Sequence, residues 1–143
     1  MGVFNRTAMI SLLDQVVFQG EKYQYPVYGV IKNTSFFATA YNQHRGCYLA
    51  ISEFRRLLFV ECNALTGAPI RMGALVFEDL VSSKIKKASF GQYKIVLEFM
   101  VDGKKKKFTF RIAKKVYGTD FDEQEYNCEG IVSELKKICC NRK

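Results

Sequence analysis

The sequence lacks several residue types and motifs by which common classes of protein are recognised. It contains no tryptophan, two prolines and a single histidine. Neither a GxGxxG motif nor a phosphate-binding loop motif is present, so no nucleotide site is indicated. No apolar run approaches the roughly 20 residues that a membrane-spanning helix needs. These absences exclude the most readily recognised nucleotide-binding and helical membrane classes.

The five cysteines form neither a disulfide framework nor a zinc site. They are Cys47, Cys62, Cys128, Cys139 and Cys140. Their number is odd, no CxxC pair occurs, and one histidine cannot complete a Cys/His cluster. The adjacent pair at the C-terminus could ligate a metal or bridge two chains, but we interpret it as incidental. Free thiols and the lack of a signal-peptide pattern predict a cytoplasmic protein without metal or cofactor.

Few residues suggest catalysis. His44 falls in a predicted polar loop, 42–46, without the partner that acid–base or nucleophilic chemistry requires. Four acids lie just before the last predicted helix and in its first turn: Asp120, Asp122, Glu123 and Glu125. They could bind a hard cation, but they lack the glycine and closing glutamate of an EF-hand loop, so we expect them to complement the helix dipole. We predict no catalytic residue and no enzymatic activity; an enzyme with a hidden site is the alternative.

The composition predicts one folded domain. The chain has 143 residues, of which 48% are hydrophobic and 14% aromatic, enough for a sizeable core. We divide the single domain 1–143 into an N-terminal helical segment at 1–19, a β-barrel at 20–116 and a C-terminal capping helix at 123–138.

Periodicity predicts a short helix, about seven strands and a final amphipathic helix. The first helix spans 7–18 with Thr7 as its N-cap, and the last contains Gly130, which costs about 1 kcal/mol there. The stretch Asn63–Gly73 is interpreted as an open loop, and Leu75–Leu80 is ambiguous. The predicted strands are 25–32, 36–41, 47–51, 57–60, 81–87, 92–101 and 107–112.

Two predicted hairpins organise these strands. The segment Cys47–Cys62 consists of two nearly continuous apolar runs joined by the polar break Ser52–Arg56. Continuous apolar runs are typical of strands that are covered on both faces. Asp102 and Gly103 form the second turn, since both residues tolerate positive φ.

Three segments resemble motifs of the bacterial pleckstrin-homology-like domains. They are the turn Gly20-Glu21-Lys22, the hairpin LAISEFRRLLF at 49–59, and the amphipathic helix at 127–138. The resemblance covers about residues 20–140, and the N-terminal helical segment departs from the simplest form of the family. It implies a seven-stranded, partly open barrel capped by a C-terminal helix, and no enzymatic activity. The eukaryotic pleckstrin-homology fold hosts lipid binding, peptide binding and assembly, so the fold does not decide the function.

The net charge of +8 concentrates on the last three predicted strands. Alternation along them turns five basic side chains outward: Lys84, Lys86, Lys94, Lys107 and Arg111. Lys104, Lys105 and Lys106 add charge at the predicted hairpin tip. This basic face is either a surface for an acidic partner or a solvated face that guards the sheet edge. The neighbouring aromatics alternate inward, so no specific nucleic-acid binding is expected.

The sequence therefore predicts a non-enzymatic binding or assembly module with an unknown ligand. Its partner is a protein or a second copy of the chain, and the alternative is an anionic membrane surface bound by the basic face. The phosphoinositide signature of the eukaryotic fold lies on the first two strands. In that region, Tyr25–Arg45, the only lysine or arginine residues are Lys32 and Arg45, so specific inositide binding is not expected.

Overall fold

The computed structural model describes residues 3–32, 44–116 and 119–140, and in them seven strands form one antiparallel sheet. The predicted fold class is confirmed: the protein is mainly β, with a short N-terminal helix and a longer C-terminal one. The elements are α1 (Arg6–Asp14), β1 (Tyr23–Lys32), β2 (His44–Ser52), β3 (Arg56–Cys62), β4 (Pro69–Val76), β5 (Leu80–Ala88), β6 (Gln92–Val101), β7 (Lys104–Ala113) and α2 (Gln124–Cys140). The sheet order is β4-β3-β2-β1-β7-β6-β5.

One of the seven strands differs from the prediction. The predicted strand at 36–41 lies outside the described residues, whereas β4 occupies part of the stretch interpreted as an open loop. Pro69 is tolerated there because it is the first residue of an edge strand, where a missing N–H costs no ladder bond. Gly73 lies beside the Phe59 ring, and a Cβ at this position would meet the ring carbons at 3.4 Å, an ordinary contact distance. The irregular segment is therefore only 63–68.

Three local predictions are also corrected. Helix α1 is capped by Asn5 rather than Thr7, because the extended Asn5 backbone lets its side chain accept a hydrogen bond from the Ala8 N–H at 2.8 Å. His44 does not lie in a loop but opens β2, opposite Lys32. Helix α2 continues to Cys140, beyond its predicted end at 138, so the cysteine pair belongs to its last turn.

The interior of the barrel is closed by α2. One face of this helix contributes Cys128, Ile131, Val132 and Leu135 to a core formed with side chains from all seven strands and with Phe77. Ile138 packs at the margin of the same core. The stripe follows from apolar residues at helical spacing, as the sequence predicts. Among the described residues, no helix has both the length and the apolarity needed to cross a membrane.

A second core covers the outer face of β2 and β3. Alternate residues of the hairpin point away from the interior, and α1 packs on them through Met9 and Leu13. The outward residues of the hairpin are Tyr48, Ala50, Leu58, Val60 and Cys62. The prediction that both faces of this hairpin are covered is confirmed, and the N-terminal helix is what covers the second face.

Two of the segments behind the family resemblance meet in a buried polar cluster. The Glu21 carboxylate accepts hydrogen bonds from Ser52 Oγ, from the Arg56 guanidinium and from the Phe18 N–H. Its side chain is fully buried, and that of Arg56 is 11% exposed. Arg56 also lies 4.0 Å from the centroid of the Phe18 ring. The cluster fixes the β2–β3 turn against the chain that leads into β1.

Strands β1 and β7 are joined in part by a side chain. Their ladder covers only Val30 opposite Arg111 and Ile31 opposite Phe110. Beyond it, the Gln124 amide accepts from the Tyr28 N–H at 3.1 Å. The same amide donates to the Tyr28 and Ala113 carbonyls, both at 2.9 Å. The first turn of α2 thus replaces the missing backbone bonds where the two strands separate.

Gly130 is required by packing, and replacing it with alanine should destabilise the protein. A Cβ at this position would lie 2.2 Å from Cδ1 and 2.8 Å from Cγ of Tyr25. Tyr25 is held at φ 58° beside a β1 bulge, so its ring cannot simply withdraw. We expect Gly130→Ala to cost about 1–3 kcal/mol by overpacking, which outweighs the gain of about 1 kcal/mol in helix propensity. Urea denaturation measures it, with exposed Ser133→Ala as the control; a stabilised G130A protein would contradict the packing argument.

The three cysteines with described side chains are free and buried. Cys47 belongs to the interior core and Cys62 to the outer one, so the sheet separates their thiols. Burial raises the pKa of the Cys62 and Cys128 thiols to about 11. These groups are therefore neutral and unreactive structural residues.

Candidate functional site

The basic residues predicted to face outward do share one face of the sheet. Lys86 lies directly opposite Lys94, and Lys94 lies directly opposite Arg111 on the next strand. Lys84 lies two residues before Lys86 on β5, and Lys107 lies four residues before Arg111 on β7. Because side chains alternate along a strand, both have the same outward orientation. Like charges directly opposite each other destabilise a sheet. The opposed cations on these strands therefore lower the stability of the sheet, and folding does not require them.

Four of these lysines surround one shallow depression. Its volume is about 220 Å³, and Val96 forms its apolar floor between Lys84, Lys86, Lys94 and Lys107. A hydrogen bond with the Lys86 amine, together with its positive charge, lowers the pKa of Lys84. Positive charges that are neighbours on one face of a sheet repel each other. An anion in the depression would relieve that repulsion.

The basic face has little countercharge of its own. Glu98 lies on the same side, opposite Lys107, and accepts a hydrogen bond from Ser82 Oγ at 2.8 Å. Within residues 44–116 and the other described stretches, no carboxylate lies within ion-pair distance of any of the five outward cations. The positive charge of this face is therefore available to a partner.

The three remaining predicted site residues are placed differently from the prediction. Lys104, Lys105 and Lys106 do not form the hairpin tip, because β7 already begins at Lys104 and the turn contains only Asp102 and Gly103. Alternation places Lys105 on the basic face, opposite Met100. Lys104 and Lys106 have the orientation of the core residues, opposite Val101 and Phe99, yet both are exposed. The predicted set of eight thus divides into six outer-face and two inner-face residues.

A second group of basic residues is neutralised internally. Glu61 on β3 is 4% exposed and pairs with Arg45 at 3.2 Å and with Arg71 at 3.5 Å. The Arg71 guanidinium also lies 5.6 Å from the centroid of the Phe59 ring. Both arginines are therefore engaged in holding strands β2, β3 and β4 together. These two arginines have a carboxylate partner, whereas the lysines of the basic face have none among the described residues. The basic face is therefore the better candidate for binding an anion.

One residue of the acidic run at 120–125 ties distant parts of the chain together. Asp120 accepts a hydrogen bond from the Arg6 N–H at 2.8 Å, which ties the start of α1 to the loop before α2. Among the residues that the structure describes, no three His, Cys, Asp or Glu side chains are grouped to hold a metal ion. The side chains of His44, Cys139 and Cys140 lie outside the described part.

Sequence reasoning missed a larger cavity between β1 and β7. Its volume is about 530 Å³, and Arg111 lies on its wall together with Lys115. The cavity lies where the ladder between the two strands ends, and no local pattern reports where the pairing of two strands that are far apart in sequence stops. The only signal in the sequence was Lys115, a basic residue two positions after the end of β7.

Comparison with known proteins gives a likeness of fold. No family model matches the chain, and no curated protein sequence matches it. Among solved structures, the hSac2 domain from the human phosphoinositide phosphatase Sac2 matches with a TM-score of 0.58. The match covers 92% of this chain and 78% of that one at 12% identity. The likeness fits a pleckstrin-homology-like or barrel-like fold, which is here an open seven-stranded antiparallel sheet with a short N-terminal and a longer C-terminal helix.

Proposed function

We propose that the protein is a non-enzymatic binding module that recognises an anionic partner through its basic face. The observation that carries the proposal is the group of four lysines around one depression without carboxylate partners among the described residues. Opposed lysines weaken the sheet, so a bound anion gives them a role that folding does not. Membership of the bacterial pleckstrin-homology-like family and a cytoplasmic location are parts of the same proposal. The Glu21 cluster and the three buried free thiols support them.

The partner that suits this face best is an anionic membrane surface. The depression is shallow, and its volume of about 220 Å³ is below that of most small-molecule sites. Recognition therefore depends on summed charge. Each lysine or arginine near an anionic membrane contributes about 1 kcal/mol, within a screening length of about 8 Å at physiological salt. Five or six such groups give weak, reversible association that salt weakens.

Charge reversal on the basic face should abolish this association. We expect co-sedimentation with phosphatidylserine vesicles at low salt, less at physiological salt, and none for the triple variant Lys84→Glu, Lys86→Glu, Lys94→Glu. The matched control carries the same change in net charge at exposed lysines off the face: Lys22→Glu, Lys87→Glu and Lys136→Glu. If both triple variants lost vesicle association equally, the association would depend on net charge and not on the basic face. Binding by the wild type that neither salt nor the basic-face substitutions alter would contradict the mechanism.

A second candidate function is assembly through β4. This strand is at the edge of the sheet and exposes Ile70, Met72 and Val76, which share one face of the strand. An exposed apolar edge strand is a template for pairing with another chain. We expect a solution mass above that of the 16.4 kDa monomer, lowered to it by Met72→Lys. Exposed Ser82→Lys on the opposite edge is the control, and a monomeric wild type would reject assembly.

A further inference from the structure

The cavity between β1 and β7 combines an apolar wall with two basic groups. Its volume of about 530 Å³ is within the range of small-molecule sites. The apolar lining comes from Tyr28, Val30, Ala113 and Val116, and the basic lining from Arg111 and Lys115. It lies beside the basic face, since Arg111 is directly opposite Lys94, but no residue lines both this cavity and the lysine depression.

The cavity is built into the fold rather than left by a surface irregularity. The ladder between β1 and β7 ends after Val30 and Arg111, and the Gln124 amide then spans the gap from Tyr28 to Ala113. Gln124 enters from the side of α2 and is 3% exposed. A buried side chain therefore links the two strands in place of ladder bonds, beside the residues that line the cavity.

The two cations at the cavity have no internal role. Neither Arg111 nor Lys115 makes a side-chain hydrogen bond or ion pair with another residue in the described ranges. No acidic residue is among the described residues that line the cavity. Lys114, immediately before Lys115, shows the alternative: it pairs with Glu129 at 2.9 Å. The guanidinium of Arg111 presents paired donors that match a carboxylate or a phosphate.

We propose that this cavity binds one amphipathic organic acid, an acyl or aryl chain that carries a single phosphate or carboxylate. The acid group pairs with Arg111 and Lys115, and the apolar part lies against Tyr28, Val30 and Val116. The proposal does not depend on vesicle association by the lysine depression, which recognises charge alone.

The test is calorimetric titration with dispersed octyl phosphate, below its micellar concentration. We expect one site per chain. Arg111→Gln removes the charge and Ala113→Phe fills the cavity, and each should weaken binding by about tenfold or more. The matched controls are Lys136→Gln and Ala64→Phe, which are both exposed and do not line the cavity, and they should bind like the wild type. Thermal unfolding of every variant confirms that it is folded.

Two further probes test the acid group and the apolar part separately. Inorganic phosphate has the acid group alone, and octyl glucoside has the apolar chain without an acid group. Either probe binding as tightly as octyl phosphate would overturn the proposal, because the acid or the apolar part would then be sufficient alone. Equal octyl phosphate affinity in A113F and in the wild type would overturn it as well.

Vesicles containing phosphatidic acid distinguish the two sources of such an acid. If the site takes a membrane lipid, A113F also lowers vesicle association; if it takes a soluble organic acid, A113F affects octyl phosphate alone. A wild type that does not bind octyl phosphate but associates with vesicles in a salt-sensitive way would reject the cavity proposal and leave the proposed function standing. A wild type that binds octyl phosphate but does not associate with vesicles would reject the proposed function and leave the cavity proposal standing.

Discussion

Leu135→Ala should destabilise the protein by about 2–5 kcal/mol. Leu135 is 2% exposed and lies in the stripe of α2 that closes the barrel interior. Truncation removes buried methyl groups and leaves a cavity that the surrounding strands cannot collapse into, because they are held in one continuous sheet. Urea denaturation followed by circular dichroism measures the change.

A graded comparison along the same helix sharpens this prediction. Ile138 is only partly buried at the margin of the core, so Ile138→Ala should cost less than Leu135→Ala. A change of less than about 0.5 kcal/mol for Leu135→Ala is the value typical of surface sites. It would show that α2 is a mobile appendage rather than the closure of the barrel.

Glu21→Ala should cost about 3–5 kcal/mol, because it leaves the Arg56 guanidinium buried without its partner. Arg56 is 11% exposed, and Glu21 is its ion-pair partner. The control is Glu53→Gln in the neighbouring turn. Glu53 is exposed, and an amide oxygen can still accept the hydrogen bond that its carboxylate takes from the Lys22 N–H at 3.1 Å. Equal small effects for the two variants would contradict the role assigned to the cluster.

Glu21 also predicts the acid limb of the stability curve. Burial alone would raise the pKa of Glu21, but hydrogen bonds from Arg56, Ser52 and the Phe18 N–H outweigh it and lower the pKa from 4.5 to about 2. A lowered folded-state pKa stabilises the protein above the unfolded value, and this contribution disappears as the pH falls from about 4.5 to about 2. The lowering corresponds to about 3 kcal/mol. Glu21→Gln should flatten this part of the curve, and a wild-type curve as flat as that of E21Q would contradict it.

The sequence was informative where a pattern is local. The period of Gln92–Val101, the Asp102-Gly103 turn and the stripe of α2 each depend on neighbouring residues, and the structure confirms all three. The outward orientation of the lysines followed from the same alternation. The prediction for β4 was wrong because Pro69 and Gly73 are typical of loops, and only pairing with β3 makes them a strand.

The features that depend on distant contacts could not be predicted. Gln124 is an ordinary polar residue in the sequence, yet it bridges two strands from the first turn of a helix. Gly130 was predicted to weaken α2, whereas the Tyr25 ring excludes any side chain there. The cavity beside Arg111 is a similar case, since it lies where the pairing of β1 and β7 ends.

The double covering of the β2–β3 hairpin has a consequence for how the two strands find their alignment. In a sheet with one solvent-exposed face, a register shift of one residue exposes apolar side chains and buries polar ones. The shifted pairing is therefore less stable than the correct one. Here Cys47 and Leu49 face one core while Tyr48 and Ala50 face the other, so a slipped pairing would still bury apolar side chains on both sides. The correct alignment must therefore be selected by shape and by specific bonds.

Two contacts at opposite ends of the hairpin can make that selection. At the turn, Glu21 accepts hydrogen bonds from Ser52 and Arg56, and a slip would withdraw at least one donor from a buried carboxylate. At the other end, Phe4 lies so close to Gly46 that a Cβ there would be 2.4 Å from its ring. Any other residue moved into that position would collide with Phe4. The buried ion pair and the glycine thus discriminate between competing pairings of the same apolar strands, a task that hydrophobicity cannot perform.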